Sequence, residues 1–536
     1  MAHSKKETEW NADTQKIKRG EKAKGFSIKK ISRLLFSRVF IVGAMIALQV
    51  VLIVALVYVF SQYYFWVYLF FHIISILVVV GLVSRDENPE SKITWICFIL
   101  FFPLIGGLFY LMLANRRVPA KLERRMQEAP QNVEGLIPDD GLAPDDPYSA
   151  MQSRYIRALS GYPVTDRTAL EYYPLGDEMF VRMVEELEKA EKYIFLEFFI
   201  IRPGIMLDTV LELLRRKVAQ GVEVRLMYDD LGSIFTLPPG YDKIFREAGI
   251  KLCIFNSFRP HVNAMLNHRD HRKMLVIDGK VAFCGGINLA DEYINKLERF
   301  GHWKDTGVLL RGRAVWSFVV MYLLQWHFAT GERATLTDYR CEEADNGPDG
   351  EPVSDGLVQV FGDTPLDGEN VTETVYMDAI NNATDYIYIN TPYLVISNAM
   401  QNALRNAALR GVDVRINTPF HYDKWYVHVL TRSHYAVLIE AGVKIYEYTP
   451  GFLHGKMFVA DDRLCMVGTC NMDFRSFYLH FECSVLMYGS STVGTVKQDI
   501  LECQAVSHQV TLEEAKEAPL HIRLARLVLK LVAPLL

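Results

Sequence analysis

The chain has 536 residues and a formal net charge of −5, which is too long for one average core and gives no global case for nucleic-acid binding. Hydrophobic residues make up 50% and aromatic residues 12%, and the excess is concentrated between Val39 and Leu113. Eight cysteines include no Cys-x-x-Cys pair and no Cys/His cluster with zinc spacing, so thiols in a reducing compartment and no bound metal are expected.

Residues 1–38 form a basic tail with eleven Lys and Arg, from Lys5 to Arg38, directly before an apolar run. Such a tail is expected to lie in the cytoplasm against anionic lipid, and no cleaved signal peptide is expected. Residues 39–115 read as a membrane region with apolar runs at 39–60, 63–83 and 93–113. The first two are long enough to cross ~30 Å of hydrocarbon as helices. The third is interrupted by Pro103, Gly106 and Gly107 and reads as a broken or re-entrant segment. Basic clusters follow the second run (Arg85, Lys92) and the third (Arg116, Arg117, Lys121, Arg124, Arg125). Two full spans and a partial third put all of these clusters on the cytoplasmic side. Residues 116–150 hold the Pro-, Asp- and Gly-rich stretch Ile137 to Pro147 and read as a linker.

From residue 151 the chain repeats itself at a period of about 190 residues, too long for a solenoid unit. Leu187-Glu-Lys-Ala-Glu-Lys-Tyr-Ile-Phe-Leu196 matches Ile380-Asn-Asn-Ala-Thr-Asp-Tyr-Ile-Tyr-Ile389, and Gly221-Val-Glu-Val-Arg225 matches Gly411-Val-Asp-Val-Arg415. Two copies of one domain follow, at 151–335 and 336–519. In each, helical stretches alternate with β-branched and aromatic runs, so the expected class is α/β, with mixed sheets flanked by helices and the copies related by a pseudo-two-fold. The segment 520–536 has Arg523, Arg526 and Lys530 on one stripe of an otherwise apolar helix. Either a core-packing final helix or a basic amphipathic helix at a bilayer surface fits.

The chemistry sits in a doubled motif: His271-x-Lys273-x4-Asp278 and His454-x-Lys456-x4-Asp461. Each lies in a strand-like run, where residues i and i+2 share a face, so His and Lys of each motif are expected to point into one cleft. An ammonium there neutralises a phosphate, and an imidazole attacks phosphorus or moves a proton. Asp278 and Asp461 fall just past the strand, where a carboxylate can anchor the turn. Ten residues beyond each Asp comes an Asn, Asn288 in Gly285-Gly-Ile-Asn288 and Asn471 in Gly468-Thr-Cys-Asn471, whose amide can donate to a phosphoryl oxygen. One copy would mean little. Two copies with the same spacing in a duplicated domain are specific.

This doubled pattern resembles the phospholipase D superfamily. The stretches Leu266 to Asn288, Phe300-Gly-His-Trp-Lys-Asp-Thr306, Thr391-Pro-Tyr393, Tyr448 to Lys456 and Asn471-Met-Asp-Phe-Arg-Ser476 are similar to its bacterial cardiolipin synthase branch. One position departs: in Leu479-His-Phe-Glu482 the resemblance leads us to expect Asn where His480 stands, though the acid is kept. The resemblance implies two tandem phospholipase D-like domains behind N-terminal transmembrane helices in a bacterial cell membrane. It implies catalytic roles for His271, Lys273, Asp278, His454, Lys456 and Asp461, with His271 as nucleophile and His454 as acid/base. It also implies that an acid downstream of each motif orients that motif's own imidazole, Asp305 for the first and Glu482 for the second. The partners implied are phosphatidylglycerol and anionic membrane lipids, with no nucleic acid, cofactor or metal; oligomeric state is not implied. A phospholipase D, a phosphatidyltransferase with another acceptor, and a non-catalytic lipid-binding scaffold remain alternatives.

Overall fold

The computed structural model describes residues 45, 47–55, 64–85, 88–103, 106–113, 133, 135–257, 268–346 and 355–535. Contacts divide the chain into two units, one made of residues 1–117 with the short segments 238–243 and 258–264, the other of the remainder.

In the first unit, helix α1 (Tyr64–Val83) is apolar apart from His72 and Ser75 and mostly exposed, and its residues 65–83 are the one described stretch long and apolar enough to cross a membrane. The earlier run at 39–60 is helical over 47–55, and its flanks lie outside the described residues, as does the basic tail. The third run is not one span. It forms α2 (Pro89–Phe101), started by Asn88 accepting from the Glu90 and Ser91 amides, and α3 (Gly106–Leu113). At 1.5 Å per residue these reach only about 20 and about 12 Å. They fold on each other around Leu82, Trp95, Ile99, Phe109 and Tyr110. Any Cβ at Gly106 would meet the Ile99 Cα at 2.7 Å, so the close return needs glycine.

The second unit contains two sheets with one topology. Half one has β1 (Thr168–Tyr173), β2 (Tyr193–Phe198), β3 (Glu223–Asp229), β4 (Lys251–Phe255), the two-residue β5 (Arg269–Asp270), β6 (Lys273–Ile277), β7 (Val281–Gly285), β8 (His302–Lys304) and β9 (Gly307–Gly312). Half two has β10 (Leu357–Asp363), β11 (Tyr386–Asn390), β12 (Leu394–Val395), β13 (Asp413–Pro419), β14 (Lys444–Tyr448), β15 (Gly451–Leu453), β16 (Met457–Ala460), β17 (Leu464–Gly468), β18 (Met472–Asp473), β19 (His480–Tyr488) and β20 (Ser507–Gln509). The first sheet runs β1-β9-β7-β6-β2-β3-β4, and the second runs β10-β19-β17-β16-β11-β13-β14 with β20 added at the edge. In both, the central strand is parallel to one neighbour and antiparallel to the motif strand: β2 to β3 and β6, β11 to β13 and β16. Every residue of β2, β6, β11 and β16 is buried, as a strand covered on both faces requires.

Between the halves lies the helix Val315–Thr330, apolar on all sides and almost wholly buried, in contact with β6, β7 and β9 of the first sheet and β10 of the second. One hydrophobic core, from Phe195 and Met274 to Ile389 and Val485, runs through both halves.

Candidate active site

The motif aspartates serve the fold at the far ends of the strands. Asp278 and Asp461 both have positive φ, 53° and 52°. Asp278 accepts from the Glu191, Lys192 and Tyr193 amides at 2.7–2.8 Å, and Asp461 from those of Thr384, Asp385 and Tyr386 at 2.8–2.9 Å. Each carboxylate ties its turn to the start of the central strand. With β6 intervening, Asp278 sits roughly 16 Å along the chain from Lys273, so the structure does not bring either Asp to the histidines as a catalytic group.

The histidines and lysines do converge, at the start of the motif strand or just before it. His271 precedes β6, which begins at Lys273; His454 and Lys456 precede β16. Each lysine ammonium turns back to the carbonyl of its own histidine. The half-sites lie against each other: a Cβ on Gly455, between His454 and Lys456, would meet Thr306 Oγ1 at 3.2 Å, and Cys284 Sγ lies 3.6 Å from Cys483 Sγ.

Two short pairings across the halves aim the imidazoles. Strand β5 runs parallel to the start of β19, Asp270 opposite Phe481, and the His271 amide donates to the Phe481 carbonyl at 3.0 Å. Strand β8 runs parallel to β15, and the His454 amide donates to the Lys304 carbonyl at 2.7 Å. In each case the next residue after that carbonyl is an acid. Glu482 therefore meets His271 (Oε1 to Nδ1, 2.9 Å), and Asp305 meets His454 (Oδ2 to Nδ1, 2.6 Å). This overturns the expectation that each acid orients the imidazole of its own half: the acids are exchanged, because the pairing edges belong to opposite halves.

Three further residues complete this cluster. Thr469 Oγ1 donates to Glu482 Oε2 at 2.5 Å and receives the Cys483 amide at 3.0 Å. It lies inside the Gly-Thr-Cys-Asn stretch already singled out, where only its neighbours attracted attention. His480, the departure from the resemblance, is buried with its Nδ1 3.5 Å from Glu482 Oε1 and its ring centroid 5.1 Å from that of His271. Arg272, between the motif His and Lys, donates to the Glu482 carbonyl at 3.3 Å. Asn288 is buried and already bonded. Its Oδ1 accepts from the Ile200 amide at 2.9 Å and its Nδ2 donates to the Tyr293 hydroxyl at 2.8 Å, leaving one amide hydrogen. Asn471 is buried, and its Oδ1 accepts from no described residue. Rings of Phe199 (5.0 Å from His271) and of Tyr293 and Trp303 (5.5 and 5.4 Å from His454) wall the cleft.

Burial governs the electrostatics. It holds His271 well below the ordinary histidine range, against the pull of Glu482, and lowers His454 to about 4. Burial would raise Glu482, but the His271 and His480 imidazoles outweigh it and keep the carboxylate ionised. The resting pair is therefore neutral imidazole and carboxylate, with Nδ1–H donating to the acid and Nε2 left for chemistry. Burial also lowers Lys273 to about 8 and Lys456 to about 7. As pH rises through these values the cleft loses its cations. kcat/KM for an anionic lipid should thus fall from about pH 7 upward, by up to about tenfold per unit once a lysine is neutral, while the acid limb lies below the usual histidine pKa of about 6.5. A profile flat to about pH 9.5 would contradict this.

Among the described residues, His271, His480 and Glu482 are the group that could hold a cation, their donor atoms lying within 4.8 Å of one another. Two imidazoles and a carboxylate suit zinc, but an ion there would take the contacts that aim His271.

Gly286 shows how tightly Asp305 is seated. A Cβ on it would fall 2.0 Å from Asp305 Oδ1. Gly286→Ala is expected to cost about 10²-fold in activity, from loss of the His454 orientation, with an unchanged melting profile within a few degrees. Wild-type turnover would show that the carboxylate can move freely.

The family described as "Cardiolipin synthase, PLD-like domain" matches residues 183–298 and 376–503, and "Phospholipase_D-nuclease N-terminal" matches 65–115. A cardiolipin synthase of Geobacillus kaustophilus is 35% identical over 87% of this chain and 92% of its own. The chain belongs to the cardiolipin synthase family. An uncharacterized protein of Streptococcus mutans is 42% identical over 85% of this chain and 99% of its own. The crystal structure of a phosphatidylserine synthase from Haemophilus influenzae aligns with a TM-score of 0.55 at 16% identity, covering 72% of this chain and 99% of that one. That likeness supports the fold.

Proposed function

We propose that the chain transfers a phosphatidyl group from one phosphatidylglycerol to another, giving cardiolipin and glycerol. The observation that carries this reading is the pair of buried imidazoles, each bonded through Nδ1 to a carboxylate, beside two lysine ammoniums. His271 Nε2 attacks phosphorus and the bond to the glycerol oxygen breaks, with His454 supplying the proton to that oxygen. The bound anionic phosphodiester opposes the effect of burial and lets His454 carry that proton. His454 then removes the proton from the terminal hydroxyl of a second phosphatidylglycerol, whose oxygen attacks and releases His271. Lys273 and Lys456 neutralise the non-bridging oxygens, with the remaining amide hydrogens of Asn288 and Asn471 beside them. Glu482 and Asp305 position the imidazoles.

The enzyme is read as a multi-pass protein of a bacterial cell membrane. Helix α1 spans, the 47–55 helix belongs to a second span, and the α2–α3 pair is a re-entrant hairpin; the positive clusters place the catalytic unit on the cytoplasmic side.

Purified protein given labelled phosphatidylglycerol alone should release glycerol and form cardiolipin in equal amounts. Phosphatidic acid without cardiolipin would make the protein a hydrolase. Cysteines introduced at 118–150 should stay unlabelled by an impermeant reagent in intact cells, and labelling there would reverse the topology.

A further inference from the structure

The helix Leu520–Val532 has two apolar faces. The inner one rests on the helix Trp425–Glu440: Leu529 packs with Val427, Leu430 and Phe474, and Lys530 Nζ donates to the Ser433 carbonyl at 3.4 Å. The outer one is bare. Leu520, Leu524, Leu527 and Val528, spaced i, i+4, i+7 and i+8 and therefore on one stripe, are 73%, 54%, 69% and 64% exposed. A helix that only capped a core would have polar residues there. On one flank of this stripe Arg523 and Lys530 are exposed, and no Asp or Glu occurs in the helix.

The neighbouring helix carries a second exposed apolar feature. The loop leading into it presents Phe420, Tyr422 and Trp425, 42%, 52% and 56% exposed. That loop borders the reaction cleft. Asp423, held by the Tyr393 hydroxyl at 2.6 Å, lies within electrostatic reach of His454. The last helix packs on this one through Leu529 against Leu430 and through the Lys530 bond to the Ser433 carbonyl.

The geometry points to a lipid-docking surface on the catalytic unit itself, made of the outer Leu520–Val528 stripe and the exposed Phe420–Trp425 segment that opens the helix it packs on, whose occupant is an anionic bilayer surface. Leucines enter the acyl boundary, Arg523 meets headgroup phosphates, and aromatic rings suit the interface. Anchoring by N-terminal helices alone would only tether the catalytic unit. A second contact on the catalytic unit itself holds it at the surface from which lipid enters. The effect on rate rests on the proposed lipid substrate; the contact does not.

The test uses the full chain with Leu527→Cys carrying an environment-sensitive fluorophore, in vesicles of phosphatidylglycerol with phosphatidylcholine. Lipid-borne spin labels should quench the probe at least about twofold, and aqueous iodide should not. The pair Leu524→Glu and Val528→Glu should reverse that pattern and lower turnover of vesicle phosphatidylglycerol by about tenfold. Turnover of a short-chain phosphatidylglycerol below its micelle concentration should stay within about twofold. A probe quenched by iodide overturns the surface, and one shielded from both quenchers shows that protein covers the stripe and overturns it equally. If the double variant loses both activities, the Leu527→Cys quenching alone decides. If the wild type makes no cardiolipin, the reaction assigned above fails while the quenching still decides the docking.

Discussion

His271→Ala should abolish cardiolipin formation, by at least about 10⁴-fold, and should leave no phosphatidyl adduct on the protein. The reason is the resting state of that imidazole. It is buried and neutral, with Nδ1 fixed on Glu482, so Nε2 presents a lone pair. No other described nucleophile has this combination except His454, whose carboxylate is Asp305. His454→Ala should lower turnover as severely yet permit slow attack by His271. Labelled phosphatidylglycerol should then leave label that accumulates on the protein, because nothing deprotonates the second acceptor. Quenching both variants and mapping the phosphohistidine checks the assignment. Label on His454, in the wild type or in His271→Ala, would exchange the two roles and keep the two-step chemistry.

The second large effect comes from the acids. Glu482→Gln and Asp305→Asn should each cost about 10² to 10⁴-fold, since an amide in place of a carboxylate stabilises the wrong imidazole tautomer and no imidazolium. The two variants should fail at different steps. With Glu482→Gln, His271 loses its orientation, and the burst of adduct should slow along with turnover. With Asp305→Asn, His454 is affected, so adduct should form and persist. If each acid served the imidazole of its own half these outcomes would be interchanged, which makes single-turnover adduct kinetics a direct reading of the exchange.

That exchange was also the main thing the sequence concealed. The doubled His-x-Lys-x4-Asp, the 17-residue step from His to Asn, and the parallel order of matching segments were legible because each is a local spacing or a period. The turn-anchoring place of Asp278 and Asp461 was legible too, since both fall just past a run of buried apolar residues. The partner of Glu482 depends on which sheet edges meet between halves. Those edges are two- and three-residue pairings, Arg269–Asp270 on His480–Phe481 and His302–Lys304 on Gly451–Leu453, too short to carry an alternation signal. The helix Val315–Thr330 went unnoticed for a related reason. Wrapped on every side, it is apolar on every side, and it has no stripe to read. At the C-terminal helix one face packs on the helix Trp425–Glu440 and the other is exposed, and the sequence alone did not divide the two.

The exchanged acids also bear on how the enzyme comes into being. His271 is made 211 residues before Glu482. At a synthesis rate of about 5–20 residues per second, the first half exists for about 10–40 s without the carboxylate that His271 Nδ1 meets. During that interval a lysine–histidine pair can meet phospholipid while lacking the tautomer control needed to cleave it. His454 has Asp305 waiting when it emerges, but its partner imidazole is armed only when β19 docks on β5.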